Sequence, residues 1–226
     1  MRAICRTYAD APALHVAGTH VASVDEKTGI QARERLHPTK PTRPGLIERR
    51  EFEYVRHGTL CLIANFLVAT GKSIAPTIGP TRTETDFADH ITRTIDTDPG
   101  AGWIFVLDQL NTHKSEALVR LVAQRCDIDS DLGVKGRTGI LESMKTRREF
   151  LEDRAHRIRF VYTPRHASWM NQVEIWFSIL VRRALKRASF ESVAALRTRL
   201  EEFIEYFNAV LAKPFRWTYA GKPLQA

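Results

Sequence analysis

The chain lacks the features that would place it in several large protein classes. Its 226 residues contain three cysteines, Cys5, Cys61 and Cys126, odd in number and far apart. There is no CxxC pair and no Cys/His cluster, so neither a zinc module nor a disulfide framework is expected. Three reduced thiols fit a cytoplasmic protein. No apolar run approaches the ~20 residues needed to cross a bilayer, so no membrane partner is expected. The amino terminus lacks the basic, apolar, then small-residue order of a secretory signal. Internal repeats and low-complexity tracts are absent too. What is present, 43% hydrophobic and 27% charged residues, is enough for one sizeable core in a single domain.

Basic charge is in excess in one half only. Lysine and arginine total 34 against 26 acids, a net charge of +8. Residues 1–113 hold 13 of each sign, whereas residues 114–226 hold 21 basic against 13 acidic. A one-sided basic excess fits a polyanionic partner, most often nucleic acid.

Along the chain, residues 1–20 carry no clear pattern, and they are too short for a helix-turn-helix unit. Val21 to Val24 leads into Asp25, and Thr28-Gly29 reads as a tight turn between two strands, with Asp25 near the end of the first. Residues 37–50 hold three prolines among basic residues and read as a loop. Leu60 to Val68 is β-prone, and Gly71 marks a turn before another short strand, giving three consecutive antiparallel strands. Phe87, Ile91 and Ile95 recur every four residues in a helix over 81–96. The unbroken run Trp103 to Leu107 suits a parallel strand buried on both faces, and Asp108 ends it. A helix over 114–126 follows, with Leu118, Leu121 and Val122 inward. Residues 127–157 break the pattern. A calcium-loop reading of Asp127, Asp129 and Asp131 fails because the glycine is one place late and Thr138 stands where glutamate is required. The rest of that segment reads as a glycine-rich loop and a basic helix around 142–154. A last amphipathic helix covers 192–211, before an aromatic, basic, irregular tail.

The stretch from Ile158 to Arg187 is the most informative. A short strand ends before Pro164, Ser168 reads as the cap of a helix starting near Trp169, and Val173, Trp176, Phe177, Leu180 and Val181 take core-facing spacing. Glu174 interrupts that surface, and Asn171 is three residues before it, placed to support Glu174 or to touch DNA. Trp169 and Trp176 read as core. Arg182, Arg183, Lys186 and Arg187 follow as a basic cluster. Taken alone, Glu174 reads first as a solvated acid on an amphipathic helix, and Asp108 also reads as an acid opening a turn.

In a mixed sheet with helices on its faces, the ends of the first and fourth strands can lie side by side. Asp25 and Asp108 then approach each other, and Glu174 can join them. Three carboxylates without a basic partner repel, and a divalent cation removes that cost. Oxygen donors with no histidine or cysteine select magnesium or manganese, and two such ions suit in-line displacement at a phosphodiester. Glu26 points to the opposite side of its strand from Asp25. His113 is placed to donate to a phosphate or to orient Asp108.

Four blocks, SVDEKTGIQA around Asp25, YVRHGT at 54–59, FVLDQLNTHKS around Asp108 and FVYTPRHASWMNQVEIWFSIL around Glu174, occur in an order that resembles the catalytic part of DDE transposases, in the bacterial insertion-sequence branch of the mariner superfamily. The resemblance implies an α/β, ribonuclease H-like fold: a mixed five-stranded sheet flanked by helices, with an insertion at about 127–157 before the last strand and a carboxy-terminal helix and tail over 189–226. It implies a metal-binding catalytic triad of Asp25, Asp108 and Glu174, supported by His113 and Asn171. It also implies magnesium-dependent nicking of transposon ends and joining of a 3′-hydroxyl to target DNA, by a homo-oligomer assembled on DNA and working at the bacterial nucleoid. Relatives carry an amino-terminal helix-turn-helix region that has no counterpart before Asp25, so a separate DNA-binding polypeptide is the expected source of end recognition. Lys145, Arg147, Arg148, Arg165, Arg182, Arg183, Lys186 and Arg187 are the expected DNA contacts, with the insertion leaning over the site. Two other functions compete: a catalytically silent DNA-binding remnant, which the three intact acids argue against, and a nuclease acting on RNA–DNA hybrids or junctions.

Overall fold

The computed structural model describes residues 1–221. Five strands, β1 (Thr19–Arg35), β2 (Tyr54–Leu67), β3 (Ser73–Gly79), β4 (Gly102–Leu107) and β5 (Ile158–Tyr162), form one sheet in the order β3-β2-β1-β4-β5. The first three are antiparallel neighbours, and β4 runs parallel to both β1 and β5. The mixed sheet expected from the strand patterns is therefore present, and the uninterrupted β4 is buried between β1 and β5.

Alternation along the strands splits the core into two layers. On one face Ala22, Val24, Trp103, Phe105, Phe160 and Tyr162 meet α2 (Glu84–Ile95), α3 (Glu116–Arg125) and α4 (Met144–Leu151). On the other, Leu62, Ala64 and Phe66 meet α5 (Gln172–Leu180) and α6 (Val193–Tyr206), while Val21, Ile104 and Val106 meet α1 (Arg2–Val16). Both α5 and α6 continue into π-helical turns, Val181–Leu185 and Phe207–Leu211. Phe207 and Phe203 close on Trp176 across that layer.

Four expectations change. Residues 1–20 are not featureless. Ile4, Cys5, Tyr8 and Ala11 form a buried stripe on α1, whose signal Pro12 obscures because proline usually ends a helix. Thr28-Gly29 is no hairpin turn. β1 continues through it, with its register against β2 slipping between Lys27 and Ile30 and Gly29 at φ +63°. A glycine at positive φ serves a bulge as well as a turn, and only the partner strand tells them apart. Ser168 does not cap the helix after β5. It opens a short 3₁₀ turn, Ser168–Met170, and α5 starts after Asn171, whose side chain is used elsewhere. Trp169 is half-exposed and meets Tyr219 edge-on, while Trp176 is fully buried.

The insertion is a packed layer rather than a loose flap. Ser143 and Thr146 form a capping box at the start of α4, and Leu141 and Leu151 are buried against the first core layer. A side chain at Gly133 would meet the Thr138 carbonyl at 2.1 Å, which explains a glycine at this close crossing.

Candidate active site

Register places the two aspartates. β1 and β4 are aligned Thr19 to Gly102 through Ser23 to Val106, and continuing both strands by two residues sets Asp25 beside Asp108. Asp108 follows the last residue of β4, at the carboxyl end where open sheets of this kind place functional groups. Asp25 differs from expectation in lying mid-strand, because β1 runs ten residues past it. Glu174 comes from the first turn of α5 and is exposed.

A polar joint holds α5 against β1. Ser23 Oγ meets Asn171 Oδ1, and accepts the Val173 N–H at 2.9 Å. Asn171 Nδ2 donates to the Val24 carbonyl at 2.8 Å and approaches Asp25 Oδ2 at 3.3 Å. Asn171 is fully buried, so it supports Asp25 from behind; the expected roles beside Glu174 or on DNA do not fit that position. Ser23 was not singled out in the sequence. Its only signal is that it lies two residues before Asp25, on the same side of the strand.

The opposite side of β1 carries a second joint. The Glu26 side chain is 1% exposed and lies 3.2 Å from His113 Nε2, while His113 Nδ1 lies 2.8 Å from Asp108 Oδ1. Tyr162 donates to the His113 carbonyl at 2.7 Å, and Phe87 packs on its ring. The contact with Asp108 is compatible with the orienting role expected of His113. Glu26 has a role that strand alternation alone did not reveal: it anchors that histidine.

The electrostatics follow. Burial pushes Asp25 up to about 7; the Glu26 N–H partly offsets this, and the nearby charges of Asp108 and Glu174 add to it. Burial would also raise Asp108, but contact with His113 and the Leu110 N–H outweigh it and hold that carboxyl below its usual value. Burial opposes charge on His113, yet Asp108 and Glu26 prevail and raise it to about 9, so the imidazole is cationic at neutral pH. Asp25 thus registers the charges of both other acids. Among the described residues, however, no three His, Cys, Asp or Glu side chains stand close enough to hold an ion as they are.

The expected DNA contacts separate into two groups. Lys145 lies 3.9 Å from Glu149, Arg148 pairs with Glu152 at 2.9 Å and lies over Tyr162, and Arg147 is buried with its Nε donating to the Ser143 carbonyl. Arg165, Arg182, Arg183, Lys186 and Arg187 are exposed, and none has a carboxylate partner among the described residues. Arg165 follows β5; burial chiefly lowers the Lys114 pKa, and the charges of Arg148 and Arg165 add to it.

A mixed sheet with acids at the adjoining strands β1 and β4, and a third from the helix after β5, defines a ribonuclease H-like domain. Residues 20–197 match the DDE superfamily endonuclease family. The chain therefore belongs to the DDE superfamily endonucleases. Its fold is similar to that of part of the Mos1 mariner transposase. A Mos1 paired-end complex with manganese gives a TM-score of 0.54 at 12% identity, over 90% of this chain and 53% of that one. A Mos1 paired-end complex with left transposon end gives 0.51 at 10% identity, over 90% and 53%. A pre-cleavage Mos1 transpososome gives 0.50 at 10% identity, over 90% and 52%. The chain thus spans about half the length of these transposase chains. No curated protein matches it in sequence. Among the described residues no helix is long and apolar enough to cross a membrane.

Proposed function

We propose that the chain is the catalytic domain of a DNA transposase, cutting phosphodiesters at transposon ends and joining the freed 3′-hydroxyl to target DNA. Asp25, Asp108 and Glu174 are its metal-holding acids. The observation that carries this reading is Asp25, pushed up to about 7 by burial and by two further carboxylates although it belongs to an endonuclease family. A cluster that disfavours its own charge is a poor structural choice and a good cation site. The donor set is hard oxygen without thiolate, which fits magnesium or manganese, and the manganese-bound Mos1 complex agrees. Two ions at such a site would activate the attacking oxygen and stabilise the leaving one.

The chain's own residues supply positioning. Asn171 and the Glu26 N–H fix the two oxygens of Asp25. His113 fixes Asp108, and the first turn of α5, tied down through Ser23, presents Glu174. The exposed arginines after β5 and α5 offer phosphate contacts. DNA is the partner this arrangement takes, as transposon end and as target. Assembly as a homo-oligomer follows from the same reading, as does work at the nucleoid.

The test is magnesium-dependent nicking of supercoiled plasmid by the intact sequence and by Asp108→Asn. The substitution is expected to lower the rate by at least about a thousandfold, as loss of an electrostatic catalytic group does. Equal rates would remove the enzymatic reading and leave a silent DNA-binding protein. Faster cleavage of an RNA–DNA hybrid than of duplex DNA would move the reading to a hybrid-specific nuclease.

A further inference from the structure

Beyond the catalytic acids, β1 and the segment that begins with α5 stay together. Val173 is tied to Ser23 at the start of α5, and the Phe190 N–H donates to the Arg33 carbonyl at 2.8 Å. The segment from Val173 to Phe190 therefore runs alongside β1 from Ser23 to Arg33. Asp25 and Glu174 lie at one end of this paired track. At the other end is a cavity of about 390 Å³, lined by Lys27, Arg33, Arg35, Phe52, Tyr54 and Lys186 among others, with no acid in its wall.

Both sides of the cavity depart from regular geometry. The β1 bulge at Thr28 and Gly29 forms one side, and the π-helical turn Val181–Leu185 forms the other. Such irregularities re-aim side chains and concentrate near functional sites. Lys27 lies two residues past Asp25 on the same side of β1, roughly 7 Å along the strand, about two rungs of stacked DNA. Its ammonium sits over Phe177, and neither Lys27 nor Lys186 pairs with a carboxylate among the described residues. The Arg33 guanidinium lies over the Tyr54 ring at 4.8 Å, and Phe52 is 82% exposed. Arg35 Nη1 donates to the Glu51 carbonyl, and its buried Nε has no partner. Uncompensated cations beside exposed aromatic rings are the chemistry that holds single-stranded nucleic acid, with phosphates on the cations and bases on the rings. The volume, near the lower end for ligand pockets, suits one nucleotide and not a duplex.

We propose that this cavity binds one unpaired nucleotide of the DNA strand leaving the catalytic acids, with its base against Tyr54 and Phe52 and its phosphate between Lys27 and Lys186. The proposal rests on the transposase reading for its substrate class. It adds that the protein engages a strand end that is not base-paired.

The test uses the full chain in EDTA, so that binding is read without cleavage. Fluorescence anisotropy compares a blunt duplex with the same duplex carrying a three-nucleotide single-stranded end. The tailed duplex is expected to bind about tenfold more tightly, the range in which base–aromatic stacking acts. An abasic tail or the Tyr54→Ala, Phe52→Ala double variant is expected to abolish the preference, whereas Tyr54→Phe keeps it. Lys186→Ala is expected to lower the salt slope by about one. Equal binding of tailed and blunt DNA overturns the proposal, as does a preference that survives the double variant with an unchanged circular dichroism spectrum. Plasmid nicking is scored separately. A tail preference without nicking would sink the transposase reading and keep the pocket, and nicking without a tail preference would do the reverse.

Discussion

At the scale of single residues, two buried titratable side chains make opposite demands. Asp25 is ionised reluctantly, with a pKa raised from 3.8 to about 7 chiefly by burial. A raised acid costs nothing below its unfolded pKa and progressively more as pH climbs to the folded one. Asp25→Asn should therefore stabilise the metal-free protein above pH 7, by on the order of 2 kcal/mol, a few degrees in thermal midpoint for a chain of this size, while abolishing nicking. The gain should shrink as pH falls from 7 toward 4, and thermal unfolding in EDTA at pH 8, 6 and 4.5 reads it directly. His90 shows the reverse. Burial lowers its pKa from 6.5 to about 3, with the Arg93 and His113 charges adding to the effect, and its Nδ1 lies 2.7 Å from Thr77 Oγ1. The folded state refuses a proton that the unfolded chain accepts, so stability is full above pH 6.5 and falls by about 1 kcal/mol per unit as pH drops toward 3. In urea titrations between pH 6.5 and 4.5, His90→Gln should lose that share of the slope. An unchanged slope would mean that His90 takes up its proton without unfolding.

At the scale of elements, the alignment of α5 on β1 decides whether Glu174 faces the aspartates. Asn171 links Ser23, the Val24 carbonyl and Asp25 in one buried cluster. Replacing it with alanine leaves these groups unsatisfied and should cost about 2–3 kcal/mol. The nicking rate should fall further than the lost folded fraction explains, with a weaker dependence on manganese as a separate reading. A rate that tracks the folded fraction alone would make Asn171 a stability residue only. The strands and helices around this joint were legible wherever one local period served one buried face. Trp103 to Leu107, the Phe87–Ile91–Ile95 repeat and the Leu196–Leu200–Phe203 face are such cases. Legibility failed where one local signal serves two structures. Thr28-Gly29 fits a hairpin turn or a bulge, Ser168 fits an α-helix cap or a 3₁₀ turn, and Pro12 argues against a helix that packing sustains. Asp25, Asp108 and Glu174, the proposed metal-holding acids, were singled out through the order of their motif blocks. Among the groups around them, His113 and Asn171 were singled out as supports, whereas Ser23 was not and Glu26 was set aside, because both act through partners distant in sequence.

At the scale of the whole molecule, the basic excess is sorted by what neutralises it. On α4 and α6 the cations face carboxylates one turn away, as in Lys145 with Glu149, Arg148 with Glu152 and Arg197 with Glu201. After α5, Arg182, Arg183 and Arg187 have no such partner among the described residues, and they project from the helix that carries Glu174. A polyanion gains most where charge is uncompensated, because a cation already paired must first give up its carboxylate. The DNA track is accordingly expected to follow α5 and to bypass the insertion. The affinity of the full chain for a fixed duplex, measured between 50 and 200 mM salt, separates the two faces. Arg182→Ala with Arg183→Ala should lower the logarithmic salt slope by about two, close to one per lost phosphate contact. Lys145→Ala with Arg148→Ala should leave it nearly unchanged. The opposite ranking would put the insertion on the DNA and the end of α5 in solvent.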